Sequence, residues 1–96
     1  MHAAALRLEL RIPGVHSLKA KRSVLKAVSS MLSSTFPVAV SEVDHQDLWQ
    51  RATLGVALVA PQASQLEHLI HAVQRTMLDR PDVELFEVGV SYLEER

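Results

Sequence analysis

The sequence predicts an α+β fold with its elements in the order β-α-β-β-α-β. Three observations lead there. Four segments of strand length alternate or run apolar, two longer ones repeat apolar residues at helical spacing, and proline or glycine punctuates the joins. In "AALRLELRI", Leu6, Leu8, Leu10 and Ile12 point one way and Arg7, Glu9 and Arg11 the other, as in a strand with one buried face. Pro13-Gly14 breaks it, and Ser17 stands where a helix N-cap is expected. From Leu18 to Thr35, Leu18, Val24, Leu25, Val28, Met31 and Leu32 form one apolar helical stripe. Phe36-Pro37 ends that helix, because a residue before proline avoids the helical region.

"PVAVSEV" reads as the second strand and "RATLGVALVA" as the third, with "DHQDLWQ" between them. Pro61 closes the third strand and can open the next helix, where its fixed φ costs little. Leu66, Leu69, Ile70, Val73 and Met77 recur there at helical spacing; "DRPD" stops the run, and "VELFEVGVSYL" is the fourth strand before a charged tail, "EER". Two β-α-β units joined in this way give a ferredoxin-like sandwich. Its antiparallel strands take the spatial order 4-1-3-2, with both helices on one face and the other face open.

Composition narrows the classes. A chain of 96 residues, 48% hydrophobic, is expected to fold as a single domain over 1–96, since two cores would each be too small. No apolar run approaches the roughly 20 residues that cross a bilayer, and the N-terminal segment carries charges where a signal peptide needs an apolar stretch. The reading is a cytoplasmic protein with no membrane partner. The absence of cysteine excludes disulfide scaffolds, thiol catalysis and cysteine-based zinc sites. The net charge of −1 hides a segregation. Residues 1–26 hold six basic residues against Glu9 (net +5), and residues 27–96 hold four basic against ten acidic (net −6). Such a division steers an anionic partner toward one region, unless folding interleaves the two sets.

The stretches "LRLELRIPGVHSLKAKRSVLK", "SEVDHQDLWQRATLGVALV" and "DVELFEVGVSYLEE" resemble the small bacterial YlxP-like family, a domain of unknown function. The resemblance covers nearly the whole chain, with "SLKAKR" and "HQDLWQRA" its most specific parts. It implies a ferredoxin-like α/β fold. The family's genes often lie beside those for translation initiation and ribosome maturation, which points to RNA or the ribosome as partner. The family supplies no catalytic residues to carry over.

The residues themselves offer two candidate sites. Lys19, Lys21 and Arg22 fall in the first turns of the first helix, where the helix dipole disfavours cations. With Lys26 and with Arg11 at the strand end, they read as a phosphate or RNA-backbone patch, against the plainer reading of a solvated helix face. The second site is the hairpin, where His45, Asp47, Trp49 and Arg51 read as a partner or RNA contact. Structural turn residues and an acid–base group built on Asp44, His45 and Asp47 stay open beside that reading. Leu48 next to Trp49 suggests that at least one of the two is buried.

Other chemistry finds little footing. The open faces of the two central strands show no aromatic residue, so bases are not expected to stack there, and that face is an alternative surface for homo-oligomer formation. Acylphosphatase chemistry relies on an asparagine, and the chain has none. His68 and His71 sit at the solvent edge of the second helix rather than in a metal site, and His16 beside Ser17 is not a dyad. No nucleotide loop or nucleophile elbow appears, so no cofactor, metal or small-molecule substrate is expected and the chain is read as non-enzymatic.

Overall fold

A computed structural model describes residues 1–93; the charged tail 94–96 lies outside the described residues. The elements are β1 (His2–Arg11), α1 (Leu18–Thr35), β2 (Val38–Asp44), β3 (Arg51–Ala60), α2 (Ala63–Leu78) and β4 (Glu84–Leu93). The strands form one sheet in the order β2-β3-β1-β4, every neighbouring pair antiparallel. This is the ferredoxin-like arrangement that the sequence predicts.

Alternation decides which face each strand buries. Leu6, Leu8, Leu10 and Ile12 are shut away from solvent on one side of β1, and Leu54, Val56 and Leu58 on the same side of β3. Against them pack Leu25, Val28 and Leu32 of α1 and Leu66, Ile70, Val73 and Met77 of α2. Burying a side chain of this size contributes about 1.5–3 kcal/mol, so this face dominates the stability of the fold.

The helix ends follow from local chemistry. Ser17 is extended (φ −158°) and its Oγ accepts the Ala20 N–H at 3.0 Å, an N-cap worth about 1 kcal/mol. At the other end, the Phe36 N–H donates to the Leu32 carbonyl at 2.9 Å before Pro37 turns the chain into β2. Pro61 closes β3 but does not itself open α2. Gln62 after it is still extended (φ −132°, ψ 148°), so the helix begins two residues later at Ala63.

Each edge strand carries one bulge. The β1–β4 register shifts at Glu9/Leu10, leaving Phe86 between Leu85 and Glu87 without a paired residue. The β2–β3 register shifts between Glu42 and Asp44, leaving out Val43. A bulge re-aims side chains and twists an edge away from further pairing. Here both swing an apolar residue onto the open face. Val43 comes to lie over Gly55, where a Cβ would stand 2.9 Å from Val43 Cγ1.

The Tyr92 hydroxyl donates to Glu67 Oε1 at 2.5 Å, tying the end of β4 to α2. This hydrogen bond, with the carboxylate's charge, raises the phenol above its ordinary value of 10.0. A raised folded-state value means that the tie adds stability below pH 10 and loses it as pH rises through the folded-state pKa. Because the chain has one tyrosine, its near-ultraviolet absorbance titration reads this directly. The midpoint should lie above 10.0 and fall back toward it in Glu67→Ala; equal midpoints would contradict the contact.

Candidate functional site

The loop from β2 to β3 is held by groups from three directions. Asp44 Oδ1 accepts the His45 N–H at 2.8 Å, which helps His45 to occupy the left-handed region (φ 61°), a conformation that histidine tolerates better than most residues. The His45 carbonyl then accepts the Leu48 N–H at 3.1 Å and the Lys21 ammonium at 2.6 Å. Beyond the tip, the Gln50 carbonyl accepts the Ile12 N–H at 2.9 Å, and Gln50 Nε2 donates to the Val15 carbonyl at 3.1 Å. The hairpin is thereby fastened to the segment that enters α1 and to the first turns of α1 itself.

Lys21 is the unexpected member of this set. It is 1% exposed, and its ammonium lies 3.0 Å from Glu42 Oε2 as well as on the His45 carbonyl. The predicted phosphate patch therefore loses Lys21, which is committed inward. The reason is its position: 21, 25, 28 and 32 are the buried residues of α1, and they follow one helical stripe. That spacing was present in the sequence, but the charge of Lys21 masked it. A buried ammonium costs several kcal/mol unless it is paired and hydrogen-bonded, so the hairpin carbonyl and Glu42 are conditions of its burial.

On the other side of the sheet, Glu9 is a hub. It is buried despite facing away from the helices, and it accepts from Thr53 Oγ1 at 2.9 and 3.1 Å. Arg7 Nε stands 3.2 Å from its carboxylate, Arg51 Nη2 3.5 Å and His45 Nε2 3.9 Å. Arg7 also reaches Asp44 Oδ2 at 3.0 Å. The His45 N–H bond first, then the charges of His45 and Arg7, hold the Asp44 carboxyl below its ordinary value. Of the acid–base group considered for this loop, Asp44 and His45 lie close together, while no ion pair joins His45 to Asp47 among the described residues. The His45 Nε2 lies 3.9 Å from Glu9, and Asp44 is engaged by the His45 N–H and Arg7.

Arg11 also parts from the other basic residues. It lies on the open face, paired with Glu84 at 3.5 Å, and with Arg51 it flanks the Phe86 ring at 5.6 and 5.3 Å. The open face thus has an aromatic residue after all, delivered by an edge strand. The sequence carries a trace of it: Leu85 and Val88, both packed on the core, are three residues apart, a spacing that breaks strict alternation.

Lys19, Arg22 and Lys26 remain together, exposed at i, i+3 and i+7 along the outer side of α1. That helix contains no Asp or Glu, and none of the three enters an ion pair among the described residues. Trp49 is 50% exposed and Leu48 46%, so neither is buried as expected; both stand on the hairpin tip, beside Asp47, Gln50 and Arg51. Among the described residues no group of three His, Asp or Glu is placed to hold a metal ion, and no helix is long and apolar enough to cross a membrane.

The fold and these two motifs define a small ferredoxin-like domain whose most specific segments, "SLKAKR" and "HQDLWQRA", meet in space. The family described as "Protein of unknown function (DUF503)" matches residues 3–90, and the chain belongs to that family. It is similar to the uncharacterized protein YlxP of Bacillus subtilis strain 168, at 37% identity over 68 residues, or 71% of this chain and 74% of that protein.

If Lys21 holds the hairpin, Lys21→Met should cost about 2–3 kcal/mol in urea unfolding. That is below the usual cost of orphaning a buried charge, because the Glu42 side chain is about a quarter exposed and regains some water. Lys21→Met with Glu42→Leu should recover most of the loss. Additive losses in the double variant would mean that the two residues are not coupled.

Proposed function

We propose that the chain is a non-catalytic RNA-binding module, suited to unpaired segments of structured RNA such as those of the ribosome. The observation that carries this reading is the outer side of α1, where Lys19, Arg22 and Lys26 stand exposed, without an acidic residue on the helix and without ion pairs among the described residues. Cations spaced this way neutralise successive phosphates, and the gain comes from released counterions. The hairpin fastened to the same helix presents Trp49, whose ring offers a surface on which an unpaired base stacks. Arg51 of the original hairpin set is engaged with Glu9, and Asp47 repels phosphate, so Trp49 is its main contributor. The resemblance to the YlxP-like family points the same way through its gene neighbourhood.

Fluorescence anisotropy with a labelled single-stranded RNA tests the proposal. The salt dependence of log K should have a slope near −2, since three contacts at about 0.7 each are lost to salt. Lys19→Glu, Arg22→Glu and Lys26→Glu together should abolish binding while leaving the fold intact. Trp49→Ala should weaken binding by about 1–3 kcal/mol with the salt slope unchanged. Equal affinity and equal slope in the triple variant would refute the assignment.

A further inference from the structure

The open face of the sheet divides into two ends. Toward the hairpin it is charged. Toward the other end the register lines up Ala39, Ala57, Ala5 and Ser91 in one row across all four strands. No side chain in that row is longer than serine. The next row outward sets Val59 and Leu93 on either side of Ala3, and these two are 61% and 58% exposed. A sheet face that meets water ordinarily carries polar and charged side chains. Alanine is also a poor strand former, so three of them in one row gain nothing in strand propensity. What short side chains permit is the close approach of another backbone surface.

We infer that this face is the interface of a homodimer, covered by the same face of a second copy of the chain. Size permits it. Three strands of ten residues and one of seven, about 4.8 Å apart, give each copy a face of roughly 600 Å², so a pair buries about 1,200 Å², the lower bound of stable interfaces. Charge permits it as well. Arg7, Arg11 and Arg51 are already paired on the same face with Asp44, Glu9 and Glu84, so covering them strands no bare cation, while Glu87, exposed opposite Glu9 and without an ion pair among the described residues, has to stay wet at the charged end. The lack of any net positive charge, with three arginines against Glu9, Asp44, Glu84 and Glu87, sets this face apart from the helical surface offered to RNA. It has no positive field to attract a polyanion and needs no oppositely charged protein. A twisted sheet with short side chains is matched in shape by another sheet of the same twist, packed with strands aligned within about 30°.

The chain has no cysteine, which makes a direct test available. Ala57→Cys, in the middle of the alanine row, should be cross-linked to itself by a short bifunctional maleimide at micromolar protein. Ser30→Cys on the exposed side of α1 should not. Sedimentation of the unaltered chain should show a dimer, and Ala57→Glu should raise its dissociation constant at least tenfold with the circular dichroism spectrum unchanged. The triple glutamate variant of α1 should still dimerise. A monomer at about millimolar concentration, or Ala57→Cys that cross-links no better than Ser30→Cys, would overturn the proposal. So would an Ala57→Glu dimer as tight as the original.

Discussion

The ammonium of Lys21 is the most deeply buried charge in the described residues, and the arrangement of the hairpin end depends on where it goes. It leaves the inner stripe of α1 and ends on a backbone carbonyl of the β2–β3 loop and on the Glu42 carboxylate. Neither partner is dispensable. Without the carbonyl and the carboxylate the charge would have no compensation for lost hydration, and without the charge Glu42 would sit largely covered and unpaired. An apolar residue at 21 would bury itself more cheaply, but it would have no reason to prefer one hairpin conformation. The hydrogen bond to His45 supplies that preference, at a residue held in a left-handed conformation.

From this contact the two sides of the molecule acquire different characters. On the helical side, the outer cations of α1 enter no ion pair among the described residues, and the hairpin fastened to that helix through Lys21 exposes Trp49 at its tip. On the open side, the same hairpin contributes Asp44 and His45 to the cluster around Glu9, where Arg7 and Arg51 offset the carboxylates of Glu9 and Asp44. The bulges on both edge strands deepen the contrast by turning Val43 and Phe86 toward the open side. The charge segregation of the sequence is thus partly undone by folding. Arg7 and Arg11 are interleaved with acids of other strands, and Lys21 is turned inward. Lys19, Arg22 and Lys26 keep their field.

The fold was legible because its signals were redundant. Alternation in β1, the Ser17 cap and the Phe36-Pro37 stop each identify the same boundaries that burial and hydrogen bonding enforce. The site was legible in part. Three of the five residues grouped as a basic patch stay together, whereas Arg11 lies across the sheet, because side chains of a strand alternate between faces and its neighbours Leu10 and Ile12 claim the core. Lys21 was hidden by the habit of assigning every lysine to solvent. Phe86 was hidden because a bulge changes facing without changing composition, and only the three-residue gap from Leu85 to Val88 records it. Trp49 and Leu48 show the converse: two large apolar neighbours suggested burial, but the core beneath is already filled by residues of the regular elements.

Amide hydrogen exchange tests the dependence on Lys21 most directly, because it reads the hairpin bonds one by one. The Leu48 amide on the His45 carbonyl and the Ile12 amide on the Gln50 carbonyl should be protected in the unaltered chain. In Lys21→Met both should exchange at least tenfold faster, while the amides of Leu8 and Leu54 at the centre of the sheet keep their protection. Unchanged protection at Leu48 and Ile12 would mean that the loop holds its own shape and that the buried ammonium does not set it.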